Sequence, residues 1–229
     1  MERPPVVAIV DYGLGNLFSV GQACEHAGLQ PVIVSDAPTI LKADAVILPG
    51  VGAFGDAMES LHRLDLTGPL KDTAAAGRPL VGICLGLQLL MSESHEFGRH
   101  AGLNLIAGPV IRFDKPQGSD RMLKVPEVGW NRIGRPRTTD GAPDPWAGSL
   151  LEGLSEGEYM YFVHSFYAKP ETPGVALSVS TYGGIEFCSA VRQGSVCAFQ
   201  FHPERSGTQG LRIYCNLAAR LGVRRGDSA

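Results

Sequence analysis

The sequence predicts an α/β fold: an open, mostly parallel twisted sheet with helices on both faces, plus antiparallel strands in the C-terminal half. In the first half of the chain, short apolar runs alternate with stretches of helical periodicity. That order is typical of parallel strands joined by right-handed crossovers. In the second half, strand-like runs follow one another with few helices between them, which favours antiparallel pairing.

The composition is that of an ordinary globular protein. The chain has 229 residues, of which 44% are hydrophobic and 19% charged, with a formal net charge of −3. We expect a single domain over 1–229 with its core at about 6–220. The small net charge argues against a nucleic-acid partner, and no apolar stretch reaches the about 20 residues of a membrane span. A soluble cytoplasmic protein is the expectation.

The first half supplies four predicted strands and three predicted helices. The strands are expected at 6–10, 31–35, 45–48 and 80–83, and the helices at 17–27, from 56, and directly behind Cys84 as far as Met91. Each strand is a short apolar run, as expected for strands buried on both faces. Gly28 is expected to end the first helix.

The second half supplies six predicted strands, one loop and one helix. The strands are expected at 110–113, 128–133, 159–168, 175–180, 185–191 and 196–201, the loop at 135–148 and the helix at 210–221. Hairpin turns are predicted at 183–184 and 193–195 because of their glycines. These strands are expected to extend the same sheet.

The cysteines argue against a disulfide framework and a zinc site. There are five, at 24, 84, 188, 197 and 215, at wide spacings and without a C-x-x-C pair. Spacing links no histidines into a metal site either, so neither a metal nor another cofactor is predicted. Four cysteines are interpreted as packed thiols, and Cys84 is set apart by its neighbours.

Cys84 stands in the string Gly82-Ile83-Cys84-Leu85-Gly86, between a predicted strand and a predicted helix. This is the layout of a nucleophile elbow with cysteine in place of serine. The flanking glycines leave room for the sharp turn, and the nucleophile itself often takes a positive φ. The helix N-terminus would stabilise a thiolate. Taken alone, the string is also compatible with a packed core cysteine.

A second string, His202-Pro203-Glu204, follows an apolar strand. Its histidine would therefore lie at the carboxyl edge of the sheet, where active sites of open α/β folds form. A carboxylate two residues on would accept the imidazole N–H and fix the tautomer that deprotonates a thiol.

A third string, Pro49-Gly50-Val51-Gly52, ends a strand expected to lie beside or near the Cys84 strand. Its glycines would let backbone N–H groups turn toward a substrate. Together with the N–H of Leu85, such groups would form an oxyanion hole. Taken alone, the string favours an ordinary glycine turn.

The three strings together, in their order along the chain, resemble those of class I glutamine amidotransferases. The resemblance spans about residues 6 to 220. It implies a Cys-His-Glu triad of Cys84, His202 and Glu204, with Gly52 and Leu85 as backbone oxyanion donors. It also implies that glutamine is bound at Gly50, Gln88 and Glu96 and is hydrolysed to glutamate and ammonia.

Further strings narrow the resemblance to the glutaminase subunit of imidazole glycerol phosphate synthase, an enzyme of histidine biosynthesis. They are 11–17, 49–54, 129–131 and 161–165. The resemblance implies a heterodimer with a (β/α)8-barrel cyclase that receives ammonia and forms imidazole glycerol phosphate and aminoimidazole carboxamide ribonucleotide. It places Trp130, Asn131, Tyr161 and Arg205 at the partner interface.

The chain departs from that pattern at three places. The resemblance implies histidine where Glu127 stands and lysine where Arg205 stands, and the loop 135–148 is longer than expected. Arginine keeps the charge of lysine but not its geometry. These departures bear on the interface rather than on the triad.

Two alternatives are left open. A glutaminase of another synthase, forming pyridoxal phosphate or anthranilate, would share the triad, but the strings 129–131 and 11–13 argue against it. A non-catalytic flavodoxin-like binding module would use Cys84 only for packing, and the His202–Glu204 pairing argues against that.

Overall fold

The computed structural model describes residues 3–118, 122–137 and 141–223, and these form thirteen strands and six α-helices. The strands are β1 Val6–Val10, β2 Gln30–Val34, β3 Ala45–Leu48, β4 Leu80–Ile83, β5 Met91–Ser94, β6 His100–Ala101, β7 Ile106–Arg112, β8 Glu127–Arg132, β9 Tyr159–His164, β10 Phe166–Ala168, β11 Ala176–Tyr182, β12 Ile185–Gln193 and β13 Val196–Phe199. The helices are α1 Leu17–His26, α2 Ala37–Lys42, α3 Phe54–Arg63, α4 Thr67–Ala75, α5 Leu85–Leu89 and α6 Gly207–Arg220, with a 3-10 turn at Pro203–Arg205.

A seven-stranded sheet in the order β11-β12-β13-β4-β3-β1-β2 forms the centre of the fold. The five strands from β13 to β2 are parallel, and β12 and β11 pair antiparallel at one end. This arrangement confirms the predicted fold class. It also places β3 and β13 on either side of β4. The segments 49–52, 82–86 and 202–204 therefore lie together at the carboxyl edge of the sheet.

Strands β11 and β12 extend this sheet as predicted, but the other predicted strands of the C-terminal half, β7 to β10, do not join it. Strands β10, β7, β5 and β6 form a second sheet, and β8 and β9 form a separate two-stranded ribbon. The predicted strand 159–168 is two strands that separate at Ser165, one in each of these smaller sheets.

Some helix boundaries also differ from the predictions. The helix behind Cys84 ends at Leu89, and Met91 instead opens β5, which pairs with β7. Helices α2 and α4 were not predicted. Helix α2 begins where the Asp36 carboxylate accepts a 2.9 Å hydrogen bond from the Thr39 N–H, an ordinary N-cap. The last helix begins at Gly207, three residues before the predicted start.

Two apolar layers cover the central sheet. Along β1, Ala8 and Val10 face one layer while Val7 and Ile9 face the other. The uninterrupted apolar run therefore reflects burial on both faces. Over the residues that the structure describes, no helix combines the length and apolarity that a bilayer crossing requires.

The predicted loop at 135–148 is held to the domain by Trp146. Its ring is buried, and its Nε1–H donates to the Leu177 carbonyl at 2.8 Å. The Arg135 guanidinium lies 4.1 Å from the ring centroid and is paired with Asp144 at 2.8 Å. The described parts of this longer loop, 135–137 and 141–148, are thus anchored by stacking and ion pairing.

Candidate active site

A cavity of about 260 Å³ opens at the carboxyl edge of the central sheet. It is lined by Val51, Gly52, Cys84, Leu85, Gln88, Glu96, Pro126 and the segment 163–166. Its volume lies just below the range for drug-sized ligands, which suits a smaller molecule such as an amino acid.

Cys84 sits at the turn between β4 and α5 with φ of 54°, the positive value expected for a nucleophile elbow. The two flanking glycines are required by close packing. A Cβ at Gly82 would lie 2.9 Å from the Cβ of Ala198, and a Cβ at Gly86 would collide with the Leu48 carbonyl. The side chain of Cys84 lines the cavity although the residue is only 6% exposed.

His202 and Glu204 form a buried pair next to Cys84. His202 Nδ1 lies 2.8 Å from Glu204 Oε1, and the two side chains are 4% and 1% exposed. The Nε2 of His202 has no hydrogen-bond partner among the described residues. Burial disfavours the imidazolium, yet the neighbouring Cys84 and Glu204 outweigh burial and raise the pKa of His202 to about 10.

The other cysteines lie in apolar surroundings. Burial raises the pKa of Cys24, Cys188 and Cys197 to about 12, so these thiols are not ionised near neutral pH. Cys215 is partly buried in α6. In the described ranges, no group of three or more histidine, cysteine, aspartate or glutamate side chains is arranged to hold a metal ion.

One of the two expected oxyanion donors, the Leu85 N–H, is already engaged in the structure. The Leu85 N–H donates to the Gly50 carbonyl at 3.3 Å. Gly52 has φ of +114°, which places its peptide in a conformation that few other residues adopt. The strand end is fixed just upstream, where the Tyr12 hydroxyl donates to the Pro49 carbonyl at 2.8 Å. The Gly50 carbonyl thus occupies the donor that an oxyanion would need.

Two polar side chains predicted to bind the substrate line the cavity. The Gln88 amide donates to the Phe166 carbonyl at 3.0 Å and to Gln200 Oε1 at 3.1 Å, which uses both of its protons. It therefore offers a ligand only its carbonyl oxygen. Glu96 accepts a 2.7 Å hydrogen bond from the Phe54 N–H at the start of α3 and brings a carboxylate to the lining.

Of the residues predicted to face a partner, Trp130 and Tyr161 lie on one side of the β8–β9 ribbon and Arg205 lies in the 3-10 turn beside it. Trp130 is 57% exposed and contacts Tyr161 edge to face at 6.1 Å. Tyr161 lies under the Arg205 guanidinium at 4.5 Å, and its ring centroid is 6.4 Å from that of His202. One side chain, Tyr161, thus connects the exposed surface to the buried histidine.

Glu127, the departure from the expected histidine, is buried in a polar cluster. Its Oε2 lies 3.2 Å from Nε2 of His164, and its Oε1 accepts a 2.7 Å hydrogen bond from Asn131. Asn131 also donates to the Thr181 carbonyl at 3.0 Å, so it is half-buried rather than wholly on the surface. One oxygen of the carboxylate is therefore hydrogen-bonded within this chain, and the other faces the His164 imidazole without a hydrogen bond among the described residues.

One polar residue beside Cys84 was missed by the sequence analysis. Gln200 is fully buried, and its Nε2 lies 3.7 Å from the Cys84 sulfur. The available signal was a lone amide at the end of an apolar run, two residues before His202.

Comparison with known proteins agrees with the three motifs. The family model described as "Glutamine amidotransferase class-I" matches residues 8–218. The chain is 45% identical over 213 residues to "Imidazole glycerol phosphate synthase subunit HisH" of Rhodopirellula baltica, covering 93% of this chain and 97% of that one. It is 43% identical over 210 residues to the subunit of the same name from Aquifex aeolicus, covering 91% and 94%.

Solved structures support the fold. A structure titled "Structure of PurLQS from Thermotoga maritima" aligns with a TM-score of 0.72 at 18% identity over 95% of this chain and 99% of that one. Another, titled "Crystal structure of glutamine amidotransferase", aligns with a TM-score of 0.69 at 20% identity over 95% and 99%. With the family match and the relatives above 40% identity, the chain belongs to the class I glutamine amidotransferases and, among them, to the HisH subunits of imidazole glycerol phosphate synthase.

Proposed function

We propose that Cys84, His202 and Glu204 hydrolyse glutamine, and that the ammonia passes to a (β/α)8-barrel cyclase forming imidazole glycerol phosphate and aminoimidazole carboxamide ribonucleotide. The observation that carries this proposal is the burial of the His202–Glu204 pair beside a strained cysteine that lines an amino-acid-sized cavity. The chain would act in the cytoplasm as a single amidotransferase domain over 1–229, with its core at about 6–220. Its free cysteines suit a reducing compartment.

His202 begins the reaction protonated, because its pKa is raised to about 10. The Cys84 thiolate attacks the side-chain amide carbon of glutamine. The tetrahedral intermediate collapses as His202 gives its proton to the departing nitrogen, which leaves as ammonia. His202 then takes a proton from water, which attacks the thioester and releases glutamate and the thiolate. Glu204 orients the imidazole throughout and keeps the proton on Nδ1 while the ring is neutral.

The cavity suits the two ends of glutamine. The carboxylate of Glu96 would pair with the α-ammonium group, and Gly50 would contribute backbone contacts at the strand end. The free carbonyl oxygen of Gln88 would accept a hydrogen bond from an N–H of the substrate. No metal or cofactor takes part in these steps.

The oxyanion hole would form by a change at the glycine turn. In the structure the Gly50 carbonyl occupies the Leu85 N–H. Reorientation of the Val51–Gly52 peptide would present the Gly52 N–H, and an accompanying shift of the preceding Gly50–Val51 peptide would free the Leu85 N–H for the intermediate. Such a site has low activity until it is rearranged, which limits loss of glutamine when no acceptor is bound.

The cyclase would bind the face that carries Trp130, Tyr161 and Arg205, while Asn131 would hold the Glu127 carboxylate on the other side of the ribbon. An exposed tryptophan edge to face with a tyrosine is a common anchor of protein interfaces. Transfer between directly bound subunits also has a chemical reason, since ammonia released into water is protonated and loses its nucleophilicity.

The test is glutamine hydrolysis by the chain alone, with a barrel cyclase, and with the cyclase and its ribonucleotide substrate. We expect activity that depends strongly on the partner and its substrate and that is lost in Cys84→Ala. Hydrolysis that persists in Cys84→Ala removes the mechanism. Activation by the partner of a pyridoxal phosphate or anthranilate synthase instead would identify the other synthase, and inactivity in every mixture would favour the binding module.

Trp130→Ala is expected to weaken cyclase binding about 30-fold, equivalent to about 2 kcal/mol, because it removes an exposed aromatic anchor. The matched control is Leu41→Ala, which removes an exposed apolar side chain from α2. Isothermal titration calorimetry with the cyclase measures both dissociation constants. Equal affinities for the two variants would place the partner on another face.

A further inference from the structure

Gln200 directs a hydrogen-bond donor at the nucleophile. It follows β13 in the chain, is fully buried, and holds its backbone through a 2.8 Å hydrogen bond from its N–H to the Ser189 carbonyl. Its side-chain Nε2 lies 3.7 Å from the Cys84 sulfur, within hydrogen-bond distance for sulfur. The two ends of a side-chain amide have nearly the same shape. The hydrogen bonds around Gln200 therefore decide whether its NH₂ group or its oxygen faces the thiol.

The surrounding hydrogen bonds settle that orientation. The Phe166 carbonyl has no proton to give, so the Gln88 atom 3.0 Å from it must be the NH₂ group. The second proton of this NH₂ group points at the Gln200 side chain at 3.1 Å, and the Gln200 atom that receives it must be the carbonyl oxygen. The NH₂ group of Gln200 is therefore the end that faces Cys84.

The hydrogen bonds that link Gln88 and Gln200 begin at the Phe166 carbonyl. His164 Nδ1 lies 2.8 Å from the same Phe166 carbonyl, which therefore accepts from two donors. The other nitrogen of His164 faces Glu127 at 3.2 Å. The orientation of both glutamine amides, up to the end that faces the sulfur, is thus set by the Phe166 carbonyl at the start of β10.

We propose that Gln200 is a positioning residue that stabilises the thiolate of Cys84 through its side-chain N–H. A donor to the charged form of a buried group favours that form, and hydrogen bonds to ions are about twice as strong as neutral ones. This inference rests on the proposed role of Cys84 as nucleophile and adds a second source of ionisation beside His202. The side chain acts through Cys84 and does not touch the substrate.

The pH dependence of Cys84 alkylation by iodoacetamide tests the proposal. The Cys84 peptide is quantified by mass spectrometry so that the other four thiols do not contribute. Gln200→Met keeps the length of the side chain and removes the donor. We expect the apparent pKa of the Cys84 thiol to rise by about one unit, with roughly tenfold slower alkylation below that pKa. The matched control, Gln193→Met, lies exposed at the opposite edge of the sheet and should leave the profile unchanged.

A second variant keeps the test decisive if Gln200→Met does not fold, which thermal unfolding shows. Gln88→Met leaves Gln200 in place but removes the N–H that fixes its amide, and we expect a smaller rise in the same pKa. An unchanged profile in folded Gln200→Met, or in Gln88→Met when the first variant is unfolded, overturns the proposal. Failure of the proposed function is separate, since it is detected as glutamine hydrolysis by Cys84→Ala.

Discussion

Replacing His202 by alanine is expected to lower kcat for glutamine hydrolysis by on the order of 10⁴ to 10⁶. The variant lacks both the acid that protonates ammonia and the base that activates water, so formation and hydrolysis of the thioester are slowed together. A thiol is a better nucleophile than a hydroxyl, so some attack on the amide continues without a base. The measurement is steady-state glutamate production by the assembled synthase with saturating glutamine.

Glu204→Gln is expected to lower kcat for glutamine hydrolysis by one to two orders of magnitude less than His202→Ala does. The imidazole remains in this variant, and only its orientation and charge are disturbed. The control is His26→Ala, which removes an exposed histidine of α1 and should leave kcat unchanged. A kcat of His202→Ala within tenfold of the wild-type kcat would exclude His202 as the acid and base.

Gly86→Ala is expected to lower the free energy of unfolding by about 3 kcal/mol or more. The added methyl would collide with the Leu48 carbonyl, and the carbonyl carbon would be 2.9 Å away. Both belong to the backbone of β3 at the centre of the sheet, so no flexible side chain relieves the overlap. Urea unfolding measures the loss, and the displaced elbow should also slow glutamine hydrolysis.

Gly68→Ala provides the matched comparison. Gly68 lies in α4, and a Cβ there meets nothing within 4 Å. Alanine is about 1 kcal/mol more favourable than glycine in a helix interior, so this variant should be neutral or stabilised near the helix start. If both substitutions change the free energy of unfolding equally, crowding at the elbow is not the reason that position 86 requires glycine.

The sequence predicted best what local geometry and strand direction determine. The elbow at Cys84 was predicted because a strand, a cysteine between glycines and a helix occur within a few residues. The placement of His202 was predicted because parallel strands end at one edge, and β13 does pair with β4. The catalytic roles of these residues remain predictions.

Contacts between residues that are far apart in the chain could not be predicted from the sequence. Met91 continues the apolar helical pattern, and only pairing with β7 makes it a strand residue. The donors of Gln88 are engaged by Phe166 and by Gln200, which is 112 residues away, so the sequence did not reveal that only its oxygen is free. The match of Glu127 with His164 likewise depends on the register of the β8–β9 ribbon.

The left-handed backbone at Cys84 sets stability and catalysis against each other at one position. With φ of 54°, an L residue there stores on the order of 1–3 kcal/mol of strain that glycine would release. Mutagenesis followed by selection for thermal resistance alone would therefore enrich residues that abolish the thiol. Any stabilised form of this chain should be selected for glutamine turnover at the same time.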